Sequence, residues 1–336
     1  MSTNYISKDF PGYLLNIEEF TPVEAIEVVG STMNAVFIHN ETGRKFHVRF
    51  PPIESSYDVV KAQRQYMSEV WMSMRVRHPC IQLFKGFSLL RDCENERTQF
   101  TSGLFFDYHG NLTLQDLIDA EIRGEAPSGW TPTKKSCVIF GITAAINYLH
   151  SMRVMHRNLK TTKILIDENF EPVLSDLSDA IVLQPDEMCA DYNVGTMLWR
   201  SPEMAKREPY DFSSDIFAYG QIIMTILTLK LPFKDGTDVA TALSTWDDNV
   251  VDNNDIPEIF NDGYIELYTN ACSLSNRSPI TAFYQYLTVN DDVFWPGTNV
   301  KEYLAYRNRI IEHDKAYEKE LEEIMKGNDE EEENAE

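Results

Sequence analysis

Between Val23 and Phe50 the chain falls into three strand-like runs, Ala25-Ile26-Glu27-Val28-Val29, Asn34-Ala35-Val36-Phe37-Ile38 and Lys45-Phe46-His47-Val48-Arg49-Phe50. The last alternates polar and apolar residues throughout, which sends successive side chains to opposite faces of a strand. Gly30 and Asn40-Glu41-Thr42-Gly43 separate the runs as turns. After Pro51-Pro52 the repeat lengthens to that of a helix, from about Tyr57 to Arg75, and strand-like runs return at Ile81 to Leu90 and Gly103 to Tyr108. From Leu112 onward the predicted elements are chiefly helical, through Leu114 to Ala120, Lys135 to His150, Ser214 to Leu229 and Ile265 to Leu274. A small antiparallel β region followed by a larger helical one predicts an α+β fold, and ligand clefts often form where two such lobes meet.

The last apolar pattern has a different period. Tyr303, Ile310, Tyr317 and Ile324 stand seven residues apart beside Leu321, after the break at Pro296-Gly297. This stripe predicts a helix that packs along the chain's own body. A coiled coil with a partner is the alternative, and Asp314 within the stripe counts against it.

Composition narrows the function. The chain has 336 residues, 43% of them hydrophobic, enough for an ordinary packed core. Thirty Lys and Arg stand against 53 Asp and Glu, a formal charge of -23. Such a charge repels a phosphate backbone or an anionic bilayer, so neither nucleic acid nor a membrane surface is an expected partner. No apolar stretch reaches membrane-spanning length, and nothing at the start resembles an export signal. Cys80, Cys93, Cys137, Cys189 and Cys272 are odd in number and form no Cys-x-x-Cys pair, as expected of reduced thiols in a cytoplasmic setting. His39, His109, His150 and His313 lack the spacing of metal ligands. Phe84, Phe87 and Tyr148 are expected to fill core.

The chemistry-bearing motifs come in a fixed order. Val154-Met155-His156-Arg157-Asn158-Leu159-Lys160-Thr161-Thr162-Lys163-Ile164-Leu165-Ile166 is followed, 18 residues after Asn158, by Asp176-Leu177-Ser178. Then come Gly195-Thr196-Met197-Leu198-Trp199-Arg200-Ser201-Pro202-Glu203 and Asp215-Ile216-Phe217-Ala218-Tyr219-Gly220. Together these resemble the catalytic loop, metal loop, Ala-Pro-Glu segment and following helix of the eukaryotic protein kinases. Upstream, Phe46-His47-Val48-Arg49 is similar to the family's Val-Ala-Ile-Lys, Glu69 to the helix Glu that pairs with that Lys, and Phe106-Asp107-Tyr108 to the gatekeeper and hinge. Arg277 resembles the Arg that pairs with the Glu of Ala-Pro-Glu, here Glu203.

The resemblance implies a two-lobed kinase fold. An N-terminal extension at 1–19 precedes a kinase-like domain at 20–290, with an N-lobe at 20–108 and a C-lobe at 109–290. A helical extension at 291–326 and a disordered acidic tail at 327–336 complete the expected chain. It also implies a nucleotide site at Gly30, Val36, His47, Arg49, Glu69, Phe106, Asp107, His109, Lys163 and Leu165, with Asp176 as the metal ligand. His156, Arg157, Glu203, Asp215, Gly220 and Arg277 are implied to hold the lower lobe together.

Phosphoryl transfer needs a poised acceptor hydroxyl, magnesium on the phosphates and cations in a fixed arrangement. Asn158 stands where the family has its proton-accepting Asp, and an amide takes no proton near neutral pH. Lys163 stands where an Asn holds magnesium, and an ammonium has no lone pair for a metal; it is implied instead to sit near Asp176. Arg49 replaces the Lys with a larger planar fork that suits a bidentate pair with Glu69. His47 replaces a small Ala above the adenine. In the glycine loop Gly30 and Val36 stand, but Thr32 and Ala35 replace two glycines and obstruct approach to phosphate.

The expected function is therefore a pseudokinase, acting on other proteins as a scaffold or as an allosteric regulator of a signalling protein such as an active kinase. ATP and magnesium would at best bind weakly. Lys160 and Asp176, retained at positions implied to contact the phosphate and the metal, leave two alternatives open. One is a weak or atypical Ser/Thr kinase of the tyrosine-kinase-like group, given Lys160 and Gly195-Thr196 with Trp199. The other is a nucleotide sensor that binds ATP without hydrolysing it.

Overall fold

A computed structural model of the chain describes residues 12–29, 32–50, 59–91, 100–233, 236–246, 262–275 and 277–333. It divides into two compact units. The first comprises the residues up to Arg77, Gln82–Gly110 and Asp176–Ala180; the second comprises His78–Ile81, Asn111–Ser175 and the chain from Ile181 onward. One division between the units falls at Gly110 and Asn111. The interleaved short segments are invisible to any linear division.

Among the described residues the first unit is a five-stranded antiparallel sheet with one α-helix. Strands β1 (Phe20–Val29), β2 (Thr32–His39), β3 (Lys45–Phe50), β4 (Phe84–Arg91) and β5 (Phe100–Asp107) lie in the order β1-β2-β3-β5-β4, and helix α1 (Val59–Arg75) joins β3 to β4. The alternation on β3 does the positioning. Phe46, Val48 and Phe50 are buried on one face, in a cluster with Phe20, Ala35, Phe37 and Phe105. His47 and Arg49 consequently share the other face. Beside β4 and β5, Val70 of α1 packs with Phe84, Phe87, Leu104 and Phe106, with Tyr66 and Met74 against them. Tyr66, Val70 and Met74 recur every four residues and form one face of the helix; Glu69, next to Val70, is buried at 4% exposure. The edge of β4 does not face solvent alone, because Tyr13 and Leu15 exchange backbone hydrogen bonds with Phe87 at 2.8 Å. At Gly86 a Cβ would lie 2.4 Å from the Tyr13 carbonyl, so the strand admits no side chain there.

The second unit is mostly helical. Helix α2 (Leu114–Ile122) begins at a Thr113 capping box with Asp116. Helix α3 (Pro132–Ser151) begins at Thr131, whose hydroxyl accepts from the Lys134 amide, with Pro132 at its first position. It is buried nearly all round and forms the centre of the unit. Short strands β6 (Val154–Met155), β7 (Ile164–Ile166), β8 (Pro172–Leu174) and β9 (Ile181–Val182) follow, pairing β6 with β9 and β7 with β8. Helices α4 (Pro202–Lys206), α5 (Ser213–Thr228), α6 (Val239–Ser244), α7 (Asp262–Cys272), α8 (Ile280–Val289) and α9 (Val300–Glu333) complete it. Gly220 of α5 lets α7 approach closely, since a Cβ there would stand 2.7 Å from the Cys272 sulfur.

Helix α9 packs on its own unit. Tyr303, Tyr306 and Ile310 are buried, Tyr303 and Tyr306 meet the Phe140 ring, and Tyr317 packs on Tyr148 at 4.9 Å. Asp314, the charge that interrupts the stripe, accepts from Tyr284 Oη at 2.5 Å and from His78 Nε2 at 3.0 Å. Its carboxylate is needed where it lies, because it satisfies the buried His78 and the half-buried Tyr284. Where disorder is expected from Gly327, the helix continues to Glu333, in a run of residues that mostly favour helix and whose backbone bonds are local.

The fold brings His78, His313 and Asp314 together, with one donor atom from each within 4.8 Å of the others. The protonation pattern argues against a metal ion there. His78 Nδ1 accepts from the Cys80 amide at 3.1 Å, so in the neutral ring Nε2 carries the proton that it donates to Asp314 and has no lone pair for a metal.

Burial pushes the His78 pKa below its ordinary 6.5, although Asp314 opposes the shift. Burial would raise the Asp314 carboxyl, but its bonds to His78 and Tyr284 outweigh that and hold it low. Both folded-state values lie below the unfolded ones, so the unfolded chain binds more protons and stability declines as pH falls below about 6.5. Denaturant unfolding at a series of pH values should show this decline, and Asp314→Ala should cost about 1–3 kcal/mol at neutral pH. Lys315→Ala, one residue along on the exposed side, should change little.

Candidate functional site

In the first unit, the face of β3 opposite its core carries His47 and Arg49. Arg49 extends both arms of its guanidinium to carboxylates: Nη2 pairs with Glu69 on α1, and Nη1 lies 2.7 Å from Asp176 Oδ1. The three side chains are 11%, 6% and 13% exposed, which leaves the cluster little screened by solvent. The Phe106 ring lies 5.2 Å from the guanidinium carbon. Asp176 takes the left-handed conformation, φ 67°, which Asp tolerates better than most residues. Its Oδ1 accepts from the Ser178 amide at 3.2 Å and from the Ser178 hydroxyl at 2.6 Å, a local turn that fixes the carboxylate.

The remaining predicted residues of this unit lie around the same sheet. Val36 is buried on β2 and pairs in register with His47, which pairs in turn with Phe106 on β5. The Gln82 amide donates to His47 Nδ1 at 3.2 Å and to the Asp107 carbonyl at 3.2 Å, so the imidazole is held by a residue that no motif singled out. The Asp107 carboxylate lies 2.6 Å from Arg44 and 3.0 Å from Lys85. His109 is half-buried just beyond β5. Gly30 lies outside the described residues.

In the second unit, the loop from His156 to Lys163 is held from beneath by Asp215 at the first turn of α5. One carboxylate oxygen accepts from the His156 amide at 2.7 Å, the other from the Arg157 amide at 2.9 Å. His150 Nε2 lies 3.0 Å from the first. Burial would raise the Asp215 pKa, but the His150 bond and the positive field of His150 and His156 outweigh it, so the carboxylate stays ionised. Asn158 Oδ1 accepts from the Thr196 hydroxyl at 3.0 Å, and the Thr196 oxygen accepts from Lys160 Nζ at 2.9 Å. Arg157 is itself left-handed, φ 64°, and its carbonyl lies where a Cβ on Gly195 would come within 2.6 Å; Gly195 also has φ 72°. Thr162 and Lys163 belong to a single 3-10 turn, and the Lys163 carbonyl accepts from the Ser175 amide at 2.8 Å and hydroxyl at 3.0 Å. Leu165 is buried on β7.

A second framework lies below the loop. Arg277 Nη1 donates to Glu203 at 2.8 Å and to the Ser213 carbonyl at 2.9 Å, while its Nε donates to the Ser273 carbonyl at 3.0 Å. Ser214 also donates to Glu203, at 3.2 Å. His150 and Gln82 are the partners that motif reasoning passed over. Their signal is weak, because a His at the end of a helix and a Gln between strands carry no spacing of their own.

A magnesium ion on Asp176 Oδ1 does not fit this arrangement. Oδ1 already receives three donors, one of them a cation, whereas magnesium requires open oxygen lone pairs at octahedral positions. Lys163, at the other expected metal position, has no lone pair to give.

Residues 30–282 match the protein kinase domain family. Serine/threonine-protein kinase STY46 of Arabidopsis thaliana is 36% identical over 187 residues, which is 54% of this chain and 29% of that protein. Serine/threonine-protein kinase STY17 of the same plant is 27% identical over 185 residues, 54% of this chain and 29% of that protein. The LRR receptor-like serine/threonine-protein kinase ERL1, also from that plant, is 30% identical over 193 residues, 56% of this chain and 19% of that protein. The chain thus spans less than a third of the length of each of these relatives. No helix among the described residues is long and apolar enough to cross a membrane.

Two substitutions probe the frameworks. Arg277→Ala removes the cation from a largely buried carboxylate and should cost about 3–5 kcal/mol in denaturant unfolding. Gly195→Ala forces a Cβ toward the Arg157 carbonyl at a positive φ, and should lower the melting temperature measurably in a thermal scan.

Proposed function

The chain belongs to the protein kinase domain family, and we propose that it is a non-catalytic member, a pseudokinase that works by binding other proteins. The observation that carries this reading is Asn158. Its carboxamide stands in the catalytic loop as an acceptor for Thr196, and an amide cannot take the proton of a substrate hydroxyl. Loss of the base alone is survivable, because positioning and electrostatics supply much of kinase catalysis. Here the loss has company. Lys163 cannot ligate a metal, Asp176 is bound to Arg49, and Thr32 and Ala35 replace glycines in the phosphate loop.

The frameworks of Asp215 and of Arg277 with Glu203 are kept, which suits a chain whose surface, rather than whose chemistry, is used. Its partners are expected to be proteins of a signalling complex, an active kinase among them. The buried free thiols Cys80, Cys137, Cys189 and Cys272 accord with a reducing, cytoplasmic setting.

One observation favours a second reading. Lys160 still donates to Thr196 in the catalytic loop and Asp176 is still present, the parts a weak or atypical Ser/Thr kinase would need. A nucleotide sensor that holds ATP without hydrolysis is the third. Radiolabelled phosphate transfer to the chain itself and to a generic peptide, with magnesium or manganese, tests the first reading. No transfer above the Asp176→Asn background is expected, and a phosphosite whose labelling disappears in Asp176→Asn overturns it. Asn158→Asp should not restore transfer, since Lys163 and Arg49 remain. A thermal scan with ATP divides the rest: a shift without magnesium supports the sensor, a shift only with magnesium supports residual catalysis, and little shift is expected.

A further inference from the structure

We infer that Arg49 is the resident cation of the Asp176 carboxylate, standing in place of a divalent metal and closing that position to one. The inference rests on the reading above only for the use to which Asp176 would otherwise be put; its geometry is independent of Asn158. A guanidinium presents its donors in a rigid planar fork, so one side chain can bind two carboxylates at once, which a single ammonium does less specifically. Arg49 does this, with one arm to Glu69 on α1 and the other to Asp176. The alternation of β3 aims it there, because burial of Val48 and Phe50 forces Arg49 to the opposite face.

At Asp176 the saturation is local and complete on one oxygen. Oδ1 takes Arg49 Nη1, the Ser178 amide and the Ser178 hydroxyl, and the left-handed backbone at Asp176 is held by the turn those serine bonds make. A metal ion on Oδ1 would have to displace all or part of this set, and one on either oxygen would share the space with a fixed positive charge a few ångströms away. Ser178 completes the arrangement by supplying a hydroxyl that grips the same oxygen.

The inference makes two claims, that Asp176 takes up no divalent ion and that Arg49 is the reason. Both can be read with manganese alone, by water-proton relaxation on the full chain at neutral pH. Weak manganese binding elsewhere on so acidic a chain cancels in the comparison with Asp176→Asn. Wild type and Asp176→Asn should bind manganese equally, and the same should hold with ATP present to offer phosphate ligands. A manganese site in the wild type that disappears in Asp176→Asn, with or without ATP, overturns the first claim.

Removing the guanidinium should expose the carboxylates of Glu69 and Asp176 to a cation. Arg49→Met should therefore gain manganese affinity by about tenfold or more and recover melting temperature as manganese is added, whereas Arg49→Met with Asp176→Asn should do neither. A folded Arg49→Met chain with no gain that depends on Asp176 overturns the second claim. Should Arg49→Met not fold, Arg49→Gln removes the charge and keeps a polar side chain, and the same readings apply: an Asp176-dependent gain in manganese affinity is expected, and a folded chain without it overturns the second claim. These outcomes are separable from those of the phosphate-transfer assay: manganese uptake at Asp176 leaves the missing base untouched, and phosphate transfer without such uptake leaves Arg49 in place.

Discussion

The buried carboxylate of Asp215 is the constraint on which the motif-bearing loop of the second unit depends. Its two oxygens accept the amides of His156 and Arg157, so the backbone entering the loop is placed by a side chain of α5 and not by regular strand pairing. A loop cannot bury its own polar backbone without such partners. Arg157 pays a left-handed conformation for the path, and Gly195 then passes against its carbonyl without a side chain. The positions of Asn158, Lys160 and Thr196 follow from these contacts. An ionised carboxylate is kept there because His150 and two amides offset the cost of its burial.

The first unit is organised by an ion cluster of the opposite kind, one cation between two carboxylates. Asp215 holds backbone, which any member of the fold would need held. Arg49 instead holds two side chains, Glu69 and Asp176. The same physical device, a largely buried charge set against opposite charge, therefore places loop backbone in one unit and ties a strand to a helix and a loop in the other.

Much of this is legible in the residues. The alternation of Lys45 to Phe50 assigns Arg49 to the face away from the core, and the ordered motifs from His156 to Arg277 identify the family before any coordinate is known. The pair of Arg277 with Glu203 and that of Arg49 with Glu69 both follow from the resemblance. Other contacts have no linear signature. Asp314 looks like a flaw in an apolar stripe until His78, 236 residues away, is seen to need it. Gln82 and His150 are ordinary residues in ordinary positions, and only the approach of His47 and of Asp215 gives them work. The interleaving of His78–Ile81 and Asp176–Ala180 between units likewise depends on packing between distant segments.

What the sequence determined by itself is therefore the set of elements, the family and the neutral amide at Asn158, because periodicity, turn chemistry and side-chain protonation are properties of single residues and their near neighbours. What the tertiary structure alone decided is how the charges are spent. That Arg49 reaches Asp176 as well as Glu69, and that Ser178 fills the same oxygen, depends on where a strand, a helix and a loop distant in the chain come to rest. Electrostatic pairing acts through space and not along the chain, and only the folded arrangement fixes which opposite charge lies nearest.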